Sequence, residues 1–128
     1  MRLLNKAPRV LVVDDHPDIA DALAAFLNCD GIETRTATGC GEALQCVRDW
    51  VPDVVVLDIM MPGRDGFETA KLIRQYLPTE SLAILAYTSF DESYLSQNGR
   101  KLDDFDGYCR KGNAPSSVLG LIQQFWAH

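Results

Sequence analysis

Two apolar rhythms alternate along the chain. Three short stretches are continuously apolar: Val10-Leu11-Val12-Val13, Val54-Val55-Val56-Leu57 and Leu82-Ala83-Ile84-Leu85-Ala86. Runs of this length, rich in β-branched residues and bounded by turn residues, predict strands buried on both faces. Elsewhere apolar residues recur every three or four positions, which predicts amphipathic helices. One such face carries Ile19, Leu23, Phe26 and Leu27, and a second carries Ala43, Leu44 and Val47. A third carries Phe67, Ala70, Ile73 and Leu77, and the last carries Val118, Leu121, Ile122, Phe125 and Trp126.

Weaker signals fill the gaps. Residues 32–37 alternate Ile32, Thr34 and Thr36 with Glu33, Arg35 and Ala37, as a half-buried strand at a sheet edge does. Residues 105–109 read as a fifth short strand. Residues 90–102 fall where a helix belongs, but Ser93, Ser96, Asn98 and Gly99 lower its propensity, so a short or irregular helix is expected.

The punctuation agrees with this order. Pro17 suits a first helical turn, where its missing N–H does no harm, and Asp30-Gly31 ends that helix. Pro52 closes the helix over 39–50, Asp65-Gly66 opens the third and Pro78 stops it. Asn113 and Ser116 are the candidate caps of the last. Residues 1–8 read as a short N-terminal arm and 9–128 as one domain, with no repeat or low-complexity stretch.

Five strands alternating with five helices predict an α/β fold, a parallel sheet covered by helices on both faces. Right-handed crossovers then bring every strand's carboxyl end to one edge, where open α/β sheets bind ligands. That edge gathers Asp14-Asp15, Asp58, Thr88 and Lys111, residues scattered over the whole chain.

Composition narrows the function. The 128 residues suffice for one compact domain. A net charge of −6 without any basic cluster disfavours direct nucleic-acid binding. No apolar run reaches the ~18 residues of a membrane span, and no signal-peptide core opens the chain, so a cytoplasmic protein is expected. Cys29, Cys40, Cys46 and Cys109 show no CxxC spacing; they read as small core thiols rather than zinc ligands.

Asp58 ends the most apolar strand and is placed to act as a nucleophile on phosphorus, forming an aspartyl phosphate. Three neighbouring carboxylates repel one another and any phosphoryl donor. A hard divalent cation, Mg²⁺, resolves that repulsion, and with Lys111 it leaves the site neutral. Phosphorylation adds roughly one further negative charge, which the Thr88 hydroxyl and nearby backbone N–H groups can meet.

Asp14-Asp15, Asp58 with Met61-Pro62 and Asp65-Gly66 behind it, Thr88, Tyr108 and Lys111 occur in this order over essentially the whole chain. The sequence resembles a response-regulator receiver domain of two-component signalling. The resemblance implies a flavodoxin-like sheet of order 2-1-3-4-5. It implies that Asp15 binds Mg²⁺ directly and Asp14 largely through water, with Asp58 and the Met60 backbone carbonyl completing the protein ligands. Lys111 would pair with a phosphoryl oxygen, Thr88 would swing toward it, and Tyr108 would rotate inward behind. The implied donor is a phosphohistidine on a histidine kinase or a histidine phosphotransfer protein. The implied output is a homodimer or an effector domain reached through the fourth helix, fifth strand and fifth helix. Such a protein is a signalling switch, acting only in its own phosphorylation and dephosphorylation.

Three departures stand out. Lys111-Gly112 replaces the usual Lys-Pro with its cis bond; a trans bond is expected here, with the freer backbone of Gly112 placing the lysine. Ser89 stands where alanine is common. The fourth helix lacks its usual Ala-Gly stretch.

These departures keep open a degenerate receiver that serves as a phosphorylation-independent interaction module. A flavodoxin-like electron carrier is disfavoured, because Asp14-Asp15 would repel its phosphate. A stand-alone phosphatase lacks the second acid after Asp58-Ile59. His16 is read as a solvent-facing helix-start residue rather than a metal ligand. Phe90, Tyr94, Phe125 and Trp126 are candidates for core or for a partner surface. The Met1 start suggests a stand-alone regulator or the N-terminal receiver of a longer protein.

Overall fold

A computed structural model describes residues 8–60, 65–77, 82–97 and 104–126. The strands are β1 (Arg9–Val13), β2 (Glu33–Ala37), β3 (Val54–Asp58), β4 (Ala83–Thr88) and β5 (Gly107–Arg110). The helices are α1 (Pro17–Cys29), α2 (Cys40–Trp50), α3 (Gly66–Tyr76), α4 (Glu92–Gln97) and α5 (Pro115–Trp126). All neighbouring strands are parallel, in the order β2-β1-β3-β4-β5. This is the flavodoxin-like order that the resemblance implied.

The apolar runs occupy the middle of the sheet because both of their faces are covered. Leu11, Val13, Val55 and Leu57 face one way, onto Ala43, Val47, Trp50, Ala70 and Ile73 of α2 and α3. Their neighbours Val10, Val12, Val54 and Val56 face the other way, onto α1 and α5 through Ala20, Leu23, Leu27, Val118 and Ile122. Side chains alternate across a strand, so each run feeds two cores at once. Burying both faces anchors the carboxyl ends of β1 and β3 side by side, with Val13 paired to Leu57.

Several boundaries and faces differ from the sequence reading. On α1 the buried positions are Ala20, Leu23, Ala24 and Leu27; Ile19 sits on the rim, 37% exposed. On β2, Ile32 and Ala37 are buried while Thr36 is exposed, since an edge strand is covered over only part of its length. β5 begins at Gly107 rather than at 105, because Asp106 is diverted into another role. Its carboxylate accepts from Ile84 N–H at 2.8 Å and pairs with Arg74 at 2.7 Å. Phe105 instead packs edge-on against Phe67, ring centroids 5.7 Å apart.

α4 starts after Asp91, whose side chain accepts the Tyr94 N–H at 2.7 Å, and is described only to Gln97. The remainder of the expected helix, residues 98–102, lies outside the described residues, as do residues 1–7 of the expected arm, Pro78 and the Trp126 side chain. Ala114, rather than Asn113 or Ser116, stands immediately before α5; Pro115 takes the first helical position and Ser116 the second. Among the described residues no helix is long and apolar enough to cross a membrane.

Candidate functional site

β1, β3 and β4 deliver their carboxyl ends to one edge, and the acids sit there. Asp14 follows β1 and its side chain is wholly buried. Its Oδ1 accepts the His16 N–H at 2.9 Å, and its Oδ2 lies 2.6 Å from Lys111 Nζ. Asp58 is the last residue of β3 and nearly as buried. Its Oδ1 accepts the Met60 N–H at 3.0 Å, while Oδ2 faces Lys111 Nζ at 3.3 Å. Asp15 is partly exposed at the mouth.

Lys111 reaches this cluster from the loop after β5. Its own N–H donates to the Thr88 carbonyl at 2.7 Å, which continues the β4–β5 pairing by one step. No cis peptide bond occurs among the described residues, so Lys111-Gly112 is trans, as expected. Gly112 turns the chain with φ +97, a conformation open to glycine and closed to proline. A bridge between Lys111 and Asn113 completes the turn.

The charges are unbalanced. The Lys111 ammonium pairs with two buried carboxylates, Asp14 and Asp58, and Asp15 lies beside them. Burial is the main force that raises the Asp58 pKa from 3.8 to about 6; nearby Asp14 adds to it, while the Met60 N–H and Lys111 oppose it. For Lys111, burial acts to lower the pKa, but the Asp14 hydrogen bond and the Asp58 charge outweigh it, and the net shift is upward. Lys111 therefore stays protonated.

Beyond their ion pairs with Lys111 and His16, Asp14 Oδ2, Asp15 Oδ1 and Asp58 Oδ2 are buried without a hydrogen-bond partner among the described residues. Ligand atoms of Asp14, Asp15, His16 and Asp58 all lie within 4.8 Å of one another. Buried acceptor-only oxygens converging this closely fit a divalent cation with a preference for oxygen.

Thr88, at the end of β4, is fully buried, and its hydroxyl oxygen accepts the Phe90 N–H at 3.2 Å. Together with Asp58, Met60, Ser89, Phe90, Lys111 and His16 it lines a small pocket of about 130 Å³. Tyr108, on β5, packs against Ile59, Ala86 and Leu95. Its hydroxyl donates to the Phe90 carbonyl. Phe90 in turn stacks on Tyr94, centroids 4.5 Å apart, and Tyr94 is 46% exposed. A chain of contacts thus runs from the pocket wall to the surface of α4.

Five of the expected site residues, Asp14, Asp15, Asp58, Thr88 and Lys111, converge at this edge, with Tyr108 one layer behind. Met60 contributes its N–H to Asp58, and its side chain is exposed. Met61-Pro62 lies outside the described residues. His16 stands at the start of α1 with a solvent-facing ring, as expected. Its ring is 63% exposed, yet Nδ1 turns inward to 3.2 Å from Asp14 Oδ1 and 3.3 Å from Asp15 Oδ1.

Gly66 also does more than open a helix. Asp65 caps α3, its side chain accepting the Glu68 N–H at 3.0 Å, while the Gly66 N–H donates to the Ile59 carbonyl at 3.2 Å. The Asp-Gly pair marked the helix start; the packing of α3 onto the end of β3 has no local sequence signal.

The family model for the response regulator receiver domain matches residues 10–122. The chain is 35% identical over 120 residues to the transcriptional activator protein ExaE of Pseudomonas putida, spanning 92% of this chain and 55% of that protein. It thus spans about half the length of that relative. It is 32% identical over 116 residues to an uncharacterized 14.6 kDa protein of Leptolyngbya boryana, 91% and 88% of the two chains. Among solved structures, the chemotaxis protein CheY4 of Vibrio cholerae is similar with a TM-score of 0.82 and 29% identity, covering 92% of this chain and 98% of that one. The response regulator TrrA of Thermotoga maritima, in complex with Mg²⁺-BeF, gives 0.77 and 32% over 91% and 96%.

Proposed function

The chain belongs to the response regulator receiver domain family, and on that premise we propose that it is the phosphoacceptor of a phosphorelay, with Asp58 as the nucleophile. The observation that carries the reading is the position of Asp58. It is buried, it faces Lys111 at 3.3 Å, and it lines a pocket with Thr88. An Asp58 oxygen forms the O–P bond as the P–N bond of a phosphohistidine breaks, and the donor imidazole leaves with the electron pair. Such a transfer requires positioning and charge stabilisation rather than further covalent machinery.

Asp14, Asp15 and Asp58, with the Met60 carbonyl, would hold Mg²⁺. The ion would supply positive charge that offsets the repulsion among these carboxylates and the incoming phosphoryl group. Lys111 pairs with a phosphoryl oxygen, and the Thr88 hydroxyl donates to it. In doing so Thr88 gives up its contact with the Phe90 N–H. Tyr108, bonded to the Phe90 carbonyl, and Tyr94, stacked on its ring, carry that change to the surface of α4, β5 and α5. The domain is a switch. A histidine kinase or histidine phosphotransfer protein supplies the phosphoryl group, and a homodimer or an effector domain reads the switched surface.

The degenerate-module alternative has less support. It is motivated by Lys111-Gly112 and by the weak fourth helix, yet with Gly112 in place the Lys111 ammonium lies 3.3 Å from Asp58. The test is Mg²⁺-dependent labelling by acetyl phosphate, or formation of a beryllofluoride adduct. Wild type is expected to react and Asp58→Asn to be inert. Folded wild-type protein that stays unlabelled in saturating Mg²⁺ overturns the proposal in favour of the interaction module.

A further inference from the structure

His16 offers a nitrogen to a site otherwise built of oxygens. We infer that His16 Nδ1 is a metal ligand and makes this acid cluster select a later first-row transition dication, of the Co²⁺ or Ni²⁺ kind, over Mg²⁺. The inference rests on reading the cluster as a divalent-cation site.

The backbone decides where the imidazole goes. Pro17 opens α1, and a residue preceding proline is kept out of the helical region. His16 accordingly takes φ −100 and ψ 101. This extended conformation turns its N–H back onto Asp14 Oδ1 at 2.9 Å. The ring follows, bringing Nδ1 to 3.2 and 3.3 Å from oxygens of Asp14 and Asp15. A histidine one turn further into a helix would project away from the acids; this one is directed at them.

The rest of the donor set is in reach. A ring nitrogen of His16 and one oxygen each from Asp14, Asp15 and Asp58 lie within 4.8 Å of one another, a separation that one central ion can span after small adjustments. Asp15 Oδ1 and Asp58 Oδ2 are buried, and their described partners are the 3.3 Å ion pairs with His16 and Lys111, so both retain lone pairs for a cation. Lys111 approaches Asp14 through Oδ2, whereas His16 shares Oδ1, so the two cationic partners use different oxygens of that carboxylate.

The chemistry of the ions then discriminates. Mg²⁺ demands near-octahedral oxygen ligation and dehydrates reluctantly, so it gains little from an imidazole. Neutral imidazole suits the later first-row dications, and affinity rises along the series from Mn²⁺, which shares the preference of Mg²⁺ for oxygen, through Co²⁺ and Ni²⁺ toward Cu²⁺. With Nδ1 as the ligand the ring proton resides on Nε2. Because the ring is 63% exposed, turning it by the short distance needed disturbs no core packing.

The test titrates the full chain, wild type and His16→Gln, with Mg²⁺, Mn²⁺ and Co²⁺ by calorimetry. Electron spin echo of the Mn²⁺ form reads nitrogen ligation directly. Wild type is expected to bind Co²⁺ at least about tenfold more tightly than Mg²⁺, and the variant to lose about tenfold in Co²⁺ affinity with Mg²⁺ affinity held within about twofold. A ¹⁴N coupling should appear in the wild-type Mn²⁺ spectrum and vanish in His16→Gln. His16→Ala should behave like His16→Gln, which separates loss of the nitrogen from any effect of the amide. No ¹⁴N coupling in wild type, or equal weakening of Mg²⁺ and Co²⁺ by the variant, overturns the inference while leaving the Mg²⁺ site intact. A sulfur-to-cobalt charge-transfer band would overturn it too, by placing the ion on a thiol. If wild type binds none of the three ions, the cation site of the phosphoacceptor reading falls, and this inference with it.

Discussion

Gly66 rests directly on the backbone of Asp58. A Cβ built at Gly66 would lie 2.4 Å from the Asp58 carbonyl oxygen and 2.4 Å from the Ile59 Cα. Both atoms are main chain, so no side chain can rotate out of the way. Gly66→Ala should therefore push α3 off the end of β3, lowering stability by about 2–3 kcal/mol as overpacking does. Because the strand end that shifts carries the nucleophile, Asp58 labelling by acetyl phosphate should fall more than stability alone explains. Urea unfolding and labelling of the folded fraction check the two effects separately.

Ionised Asp58 is a burden on the metal-free protein. Its pKa in the fold, about 6, stands above its ordinary 3.8, so the fold favours the protonated carboxyl. The stability this provides is fully present below the unfolded value and is lost as pH rises through about 6. A shift of this size corresponds to about 3 kcal/mol. Asp58→Asn, which carries no charge, should thus exceed wild type in stability near neutral pH without metal, and the gap should close toward about pH 4. Saturating Mg²⁺ should also narrow it. A gap independent of pH, in urea titrations across this window, contradicts the assignment.

Removing the ammonium has the opposite sign. Lys111→Met leaves Asp14 and Asp58 buried beside an apolar side chain. The metal-free variant should lose about 3 kcal/mol near neutral pH, as broken buried ion pairs do. Without the lysine, the Asp58 pKa should climb further above 6. Carboxyl ¹³C titration reads that shift, and phosphoryl labelling should fall with it.

Placing a proline after Lys111 should harm the protein. Gly112 has φ +97, whereas proline is fixed near −65°. Gly112→Pro is expected to dislodge Lys111 and lower stability by about 3 kcal/mol, against about 1 kcal/mol for Gly112→Ala. Among the described residues other than its two chain neighbours, no atom lies within 4 Å of a Cβ placed at Gly112, so the alanine effect isolates backbone strain. Chemical denaturation of the two variants measures the difference.

Val51 supplies a control far from the chemistry. It ends α2 in the left-handed region, φ 48 and ψ 82, which a β-branched side chain disfavours. Pro52 follows and blocks continuation of the helix. Val51→Gly should raise stability by about 0.5–1 kcal/mol. Thermal melting should show the gain, with Asp58 labelling unchanged.

The pattern of residues by itself determined the sheet and the location of its chemistry. Val10 to Val13 and Val54 to Leu57 are apolar without interruption, and only a position covered on both faces makes such runs stable in water. Once those strands are central and parallel, Asp14, Asp15, Asp58, Thr88 and Lys111 must meet at one edge. Such inferences use periodicities of two and three to four residues, which each segment carries within itself. What the tertiary structure decided are the approaches between segments. Gly66 touches Asp58, Lys111 lies closer to Asp14 than to Asp58, and His16 turns its nitrogen toward the acids. Asp106 leaves β5 to serve Arg74 and Ile84, and Ile19 is left on the rim of its helix. These depend on how closely two backbones pack and on which of several nearby groups wins a hydrogen bond, and no single stretch of sequence encodes either.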